Sequence, residues 1–380
     1  MDTRPRLIVF SDDWGRHPSS CQHLIRELLP RYRVDWVNTI GTRRPNLSLH
    51  DLKRIGEKLR SWTQKPKSTE AQIALPENLT VHSPVHWPGF KNRLERNLNL
   101  TFFMRALKQL IRPEDPPTAV ITTASIPADL ACARPDLNWV YYCVDDLSEW
   151  PGLDGESLLR LERDMLPHVK SFVSVSENLQ ARLRGLGHES KLLTHGIDLD
   201  HWRSESTSTP NAEPVALYWG HADRRLDSPS CLALAGRMKL RMIGPQTDVD
   251  PELLAHQNIE WVGPVDYARL PQEAASADVL VMPYAELPVT RAMQPLKLKE
   301  YLATGMPVVA TKLPATEPWA DALDLTNDAE EFARLALERA GAPLSAEQSA
   351  ARERLEQETW TRKARIFEDA LLAHAPESAR

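Results

Sequence analysis

Lys297 and Glu300 stand three residues apart in Pro295-Leu-Lys-Leu-Lys-Glu-Tyr-Leu-Ala-Thr-Gly-Met-Pro-Val-Val-Ala310, which puts an ammonium and a carboxylate on one face of a short helix. Gly305 is a natural C-terminal cap for that helix, and Pro307 opens a buried apolar strand. A cation and a carboxylate held together at the carboxyl edge of a parallel sheet suit a ligand with both phosphate and vicinal hydroxyls. The loop before the helix, residues 285–294, contains Thr290, Arg291 and Gln294, and two earlier strands end in glycine, at Gly244 and Gly263. Glycine there lets a ligand come close to the backbone, and helix N-termini with nearby cations suit a pyrophosphate. A second set of reactive groups lies in Tyr141-Tyr-Cys-Val-Asp145-Asp146-Leu-Ser-Glu149-Trp150, where a strand delivers two acids at its carboxyl end. A plain surface Lys–Glu pair, and acids that merely cap the next turn, are the alternatives.

These groups need a frame. At 380 residues the chain exceeds one ordinary core, so two α/β domains are expected. Its 42% hydrophobic and 26% charged content is that of a globular protein. It has no run of about eighteen apolar residues that could span a bilayer. The opening Met-Asp-Thr-Arg-Pro-Arg lacks the apolar stretch of a signal peptide. Cys21, Cys132, Cys143 and Cys231 are scattered without a CxxC pair, which reads as reduced thiols rather than zinc ligands or disulfides. The expectation is a cytoplasmic protein that binds no metal. Residues 1–112 hold 20 Lys and Arg against 10 Asp and Glu, and the remainder 26 against 42. This asymmetry suggests an anionic partner on the N-terminal side. With no nucleic-acid-binding motif visible, a phosphate-bearing lipid or an anionic membrane surface at the inner face is the expected partner, or the basic residues form solvated helix faces.

Strand and helix alternate along the chain, the pattern of parallel sheets covered on both faces. Strands are expected at Leu7–Phe10, Val34–Val37, Leu79–His82, Ala119–Thr123, Trp139–Val144 and Ser171–Val175. Helices fall at Cys21–Leu29, Leu49–Trp62 and the basic amphipathic stretch Leu94–Ile111. That last helix reads either as core with a basic outer face or as an interfacial helix against anionic lipid. The polar, aperiodic segment 204–214 reads as a linker. Strands resume at Val215–Trp219, Leu240–Gly244, Ile259–Val262 and Val279–Met282, with a helix at Leu270–Ala275. The domains expected are 1–203, the linker 204–214 and 215–358, with a terminal helix in 359–380 packing back on the first domain.

The run from Asn258-Ile-Glu-Trp-Val-Gly-Pro through Asp278-Val-Leu-Val-Met-Pro-Tyr284 and Pro295–Ala310 resembles the donor-binding domain of GT-B glycosyltransferases. It is most similar to family-4-like bacterial enzymes of exopolysaccharide and cell-surface glycan synthesis. Ser174-Val-Ser-Glu177, Thr194-His-Gly-Ile-Asp198 and Tyr218-Trp-Gly220 are further echoes. The resemblance implies two doubly wound, Rossmann-like domains with a cleft between them. It implies a nucleotide-diphosphate sugar of the UDP or GDP type as donor, a glycan or lipid-linked acceptor, and no further cofactor.

Carried onto this sequence, Glu300 would hold the ribose and Lys297 the diphosphate, with Arg291 and Thr290 near the phosphates. Gly220 would admit the nucleotide closely, His221 would lie beside it, and Arg224 or Arg225 would add phosphate charge. The loop Ser11-Asp-Asp-Trp-Gly-Arg-His-Pro-Ser-Ser20 would reach into the cleft, bringing Arg16 and His17 to donor or acceptor; the alternative is a structured loop with Trp14 packed. Asp145 or Asp146 would take the acceptor proton in an inverting transfer, or orient the donor sugar in a retaining one. His195 reads as a loop residue near the hinge. One departure stands out: retaining members usually carry a glutamate eight positions before the second, and Ala292 occupies that place here. Stereochemistry therefore stays open, as do two other readings, a nucleotide-sugar epimerase and a non-catalytic nucleotide-sugar sensor or scaffold.

Overall fold

A computed structural model describes residues 4–15, 19–39, 75–84, 87, 89–108, 110–112, 114–150, 152–203 and 211–375. The helix expected at Leu49–Trp62 lies outside them, as do Arg16, His17 and most of the expected linker. The first sheet has seven strands, β1 (Arg6–Ser11), β2 (Arg33–Asn38), β3 (Leu79–His82), β4 (Ala119–Thr122), β5 (Trp139–Cys143), β6 (Ser171–Ser174) and β7 (Lys191–Leu192). They lie in the order β3-β2-β1-β4-β5-β6-β7, and every pairing is parallel. Strands β1, β4 and β5 are buried at every position. That is why they read as unbroken apolar runs rather than alternating ones.

The second sheet has six parallel strands, β8 (Val215–Trp219), β9 (Lys239–Ile243), β10 (Ile259–Gly263), β11 (Val279–Met282), β12 (Val308–Thr311) and β13 (Asp324–Thr326), ordered β10-β9-β8-β11-β12-β13. In each sheet the order reverses once, between β1 and β4 and between β8 and β11. A crevice opens at the carboxyl ends of the strands at such a reversal. Helix starts are set by side-chain caps: Ser19, Ser176, Asp227 and Asp328 each accept from an amide in the first turn of the helix that follows.

Two hydrophobic cores correspond to the two sheets. Their boundary departs from the expected 203. Ile197, Leu199 and Trp202 already belong to the second core, because the Trp202 indole stacks on Trp219 of β8, centroids 5.2 Å apart. Asn211, expected in the linker, is tied to the same domain through its Nδ2 bond to Asp278, 2.9 Å. The helix Trp360–Leu372 returns to the first core, contributing Trp360, Ala364, Phe367 and Leu371. Asn138 donates to the carbonyl of Leu371 at 2.9 Å. Among the described residues the chain thus crosses between domains twice, at 194–197 and at 358–360. The crossings lie side by side: Ile197 N donates to Glu358 O at 2.9 Å and Trp360 N to Ile197 O at 3.2 Å.

Candidate active site

The helix Leu296–Ala303 presents Lys297 and Glu300 beneath the carboxyl ends of β8 and β11. Glu300 is only 9% exposed. Its Oε2 accepts from Trp219 Nε1 at 3.1 Å and its Oε1 from the Tyr267 hydroxyl at 3.3 Å. Tyr267 is itself fixed by Trp202 Nε1, 3.1 Å away, and by the His201 ring stacked on it at 4.6 Å. Burial pushes the Glu300 carboxyl up to about 7, against the pull of Trp219 and Lys297. A carboxylate offers about four lone-pair directions, so two protein donors leave room for two ligand hydroxyls.

Lys297 is also 9% exposed, and among the described residues its Nζ has no hydrogen-bond partner of ordinary geometry. It sits over the Tyr218 ring, 3.9 Å from the centroid, and 5.0 Å from that of Tyr284. Burial holds its pKa below the usual lysine value. Gly220, at φ 137°, supplies the space: a Cβ there would stand 2.2 Å from Lys297 Nζ. Gly244, at φ 133°, does the same one strand over, where a Cβ would meet the Gly220 carbonyl at 2.1 Å. Two glycines therefore let β8 and β9 end in contact and leave a buried ammonium beside bare backbone. Tyr284 and the Glu300 carboxylate attract the ammonium without closing an ordinary hydrogen bond to it, and a buried cation so incompletely paired is costly. Its natural complement is an anionic ligand.

Arg225 is the second cation. Its guanidinium pairs with Asp223 (Nε–Oδ1 2.9 Å, Nη2–Oδ2 2.8 Å) and stacks on Trp150 of the first domain, 4.6 Å from the ring centroid. Arg224, the alternative phosphate ligand, turns outward to pair with Asp248 on the surface. Thr290 is fully buried, and its hydroxyl serves its own loop, donating to Ala285 O and accepting from Leu287 N at 2.8 Å. The Arg291 side chain is exposed and paired with Glu286. Neither fits the phosphate role expected of it: the loop 285–292 needs the threonine to close its turn, and it aims the arginine at solvent. His221 borders the pocket through its carbonyl, which accepts from the Tyr218 hydroxyl at 2.9 Å. Ala292 faces the first domain, where its carbonyl accepts from Ser176 Oγ at 2.6 Å, and the neighbouring Arg291 carbonyl accepts from Asn178.

From the first domain, β5 delivers Asp145 and Asp146 in different states. Asp146 is occupied: Arg182 Nε holds Oδ2 at 2.8 Å, and Oδ1 accepts from Ser148 N at 3.1 Å. It caps the turn and is tied to a guanidinium, so it suits the role of a base less than Asp145 does. The Asp145 carboxylate accepts no hydrogen bond among the described residues; burial pushes it up to about 7 while Arg225 across the cleft draws it down. On the β1 loop, Asp12 accepts from Ser11 (2.8 Å), Ser19 (3.0 Å) and Gln22 (2.8 Å), and Trp14 packs edge-on against Trp36. These residues order the loop. His195 is buried at the first crossing and is pushed down to about 3 by burial and by Lys299, so it is neutral. Among the described residues no group of His, Cys, Asp or Glu is placed to hold a metal ion.

Trp150, Asp223 and Tyr267 carry much of this geometry and escape sequence reasoning. Each acts through a partner on a distant segment, and single aromatics or acids after a strand have no spacing signature. The site as a whole offers two cations at a crevice, a carboxylate for vicinal hydroxyls, and an acid poised near neutrality on the opposite wall.

Residues 229–339 match the family model described as glycosyl transferases group 1. A stretch of 65 residues is 46% identical to a putative teichuronic acid biosynthesis glycosyltransferase, TuaH, of Bacillus subtilis, covering 17% of this chain and 16% of that relative's length. Among solved structures, the chain is similar to a sucrose-phosphate synthase from Thermosynechococcus elongatus, with a TM-score of 0.69 at 16% identity over 96% of this chain and 98% of that one. Anabaena Alr3699/HepE in complex with UDP-glucose gives 0.66 at 12% identity, over 97% and 99%. A UDP-forming trehalose-phosphate synthase from Burkholderia xenovorans gives 0.66 at 15% identity, over 98% and 100%. At these identities the structural likeness establishes the fold, which is GT-B.

Proposed function

We propose that this chain, whose second domain belongs over residues 229–339 to the group 1 glycosyltransferases, moves a sugar from a nucleoside-diphosphate donor to a glycan or lipid-linked acceptor. One observation carries the reading: the buried, incompletely paired ammonium of Lys297 beside Gly220, with Glu300 one helical turn on. Lys297 and Arg225 would neutralise the diphosphate as it leaves, and Glu300 would hold the ribose hydroxyls. In an inverting transfer Asp145 would take the acceptor proton, a task suited to a carboxyl near neutral pKa; in a retaining one it would orient the donor sugar. The UDP-glucose complex of the Anabaena relative and the teichuronic acid role named for the Bacillus one support a donor and acceptor of these classes. A thermal-shift screen against UDP, GDP, ADP and CDP tests the donor site, since a selective ligand stabilises the folded state by mass action. No stabilisation by any diphosphate would sink it. Donor-sugar release to water supports transferase chemistry. A new sugar nucleotide formed from donor alone would favour the epimerase reading, and binding without turnover the sensor.

A lipid surface is the partner proposed for the first domain. Among the described residues no helix is long and apolar enough to cross a membrane. The helix Arg93–Leu107 nevertheless exposes Leu94, Leu98 and Met104, with Arg93, Arg105 and Lys108 also exposed beside them. Apolar side chains rimmed by cations suit the headgroup region of an anionic bilayer. Sedimentation with anionic but not neutral liposomes is the expected result, and equal binding to both removes the electrostatic part.

A further inference from the structure

The helix that grips the donor has a second charged side. Lys299 lies about 200° around the helix from Lys297, at about 100° per residue, and is only 2% exposed. Its Nζ donates to the carbonyl of His195, to Thr194 Oγ1 at 3.2 Å, and to Glu358 Oε2. His195 and Thr194 are on the first crossing between the domains; Glu358 is on the second. Lys363, from the returning helix, completes the cluster with bonds to Glu358 (2.7 Å) and Thr194 Oγ1 (2.9 Å). Backbone bonds tie the two crossings together, and the Trp360 ring fills the space that a Cβ on Gly196 would need, at 2.6 Å. Three acceptors from two separate crossings thus converge on one ammonium.

Such a cluster is a poor route to stability. Burying an ion pair costs desolvation that an apolar side chain of the same volume would avoid. Directional bonds do what apolar contact cannot: they fix where the helix stands relative to both crossings. We propose that Lys299 is a positioning residue that locks the helix bearing Lys297 and Glu300 to the interdomain hinge, so that donor grip and domain movement are one motion. The functional half rests on the donor reading above; the mechanical half does not.

The test uses the full chain with Lys299→Met, Lys299→Arg and Thr194→Val. Lys299→Met leaves Glu358 paired with Lys363, so no buried charge is stranded. Without ligand, hydrogen exchange at the bonded amides of Ile197 and Trp360 rises about tenfold or more in Lys299→Met, while the β8 and β11 amides keep wild-type protection. With UDP or GDP, the Kd stays within about threefold of wild type. In turnover, kcat falls roughly 10- to 100-fold with donor KM little changed, the scale of a small misplacement of reacting groups. Lys299→Arg, which keeps the cation, recovers part of kcat, and Thr194→Val falls between. Unchanged exchange at Ile197 and Trp360 overturns the proposal. So does a lowered melting temperature with kcat unchanged, which would mark a merely structural ion pair. If wild type binds no nucleotide, the donor reading fails, and the exchange measurement still decides the hinge.

Discussion

Replacing Lys297 by Met should make the free protein more stable and the nucleotide complex weaker. The two effects share one cause. An unpaired buried donor costs about 1–3 kcal/mol, and the cation–π contact with Tyr218 returns up to about 2 kcal/mol when desolvated. Arg225 adds like-charge repulsion, while Tyr284 and Glu300 attract the ammonium. The net penalty is at most about 1 kcal/mol, and Met removes it at nearly the same length. For a domain of 150–250 residues that raises the melting temperature by about 2–4 °C. Loss of a charge-assisted bond to phosphate, about 1.5–3 kcal/mol, weakens the nucleoside diphosphate about 10- to 150-fold. At a ligand concentration of 100 Kd the wild type gains about 2.7 kcal/mol, whereas a variant with Kd raised 100-fold gains only about 0.4. Calorimetric titration with UDP and GDP, beside melts with and without them, reads both numbers. A variant that melts several degrees lower, or binds as tightly as wild type, would refute the claim that this ammonium waits for an anion.

Glu300 gives a pH signature. Its folded pKa, about 7, lies above the ordinary 4.5, so below pH 7 the site holds a protonated acid with less acceptor capacity. Nucleotide affinity should rise from pH 6 to pH 8 in wild type and lose that dependence in Glu300→Gln. The stability sign is opposite. The folded state holds a proton that the unfolded state releases between about 4.5 and about 7, so wild type loses stability relative to Glu300→Gln as pH climbs through that window. Asp145→Asn should lower kcat about 10²- to 10⁴-fold, the range of a general base, with nucleotide Kd unchanged; wild-type turnover would remove Asp145 from the chemistry. Gly220→Ala should abolish nucleotide binding, since the new methyl lands 2.2 Å from Lys297 Nζ in a backbone region closed to L-residues; retained affinity would mean the two do not share a pocket.

The strands buried on both faces were legible because they are apolar runs bounded by turn residues; Val215–Trp219 and Val279–Met282 match to the residue. The edge strands β7 and β13 leave no such trace, being two and three residues long with no fully buried position. Lys297 and Glu300 could be read because both sit on one helix, so spacing alone joins them. Arg225 could not be told from Arg224, since only Trp150, 75 positions earlier, marks which guanidinium faces the cleft. Thr290 looked like a ligand because a loop threonine before a helix suits phosphate as well as it suits its own backbone. The early crossover at 197 depends on one stacked tryptophan pair, a contact that composition cannot reveal.

The paired crossings at Ile197 and Thr359 have a consequence for engineering. Within the described residues the donor half is entered and left at adjacent points, so it resembles a cassette held by one two-stranded clip. Transplanting donor preference from a relative should therefore need only two splice points, at the clip. The grafted block must bring its own Lys299 and Glu358 and find Thr194 and Lys363 waiting. A chimera cut at the apparent linker near 204 would instead leave Trp202 behind, and the new β8 would lose its stacking partner.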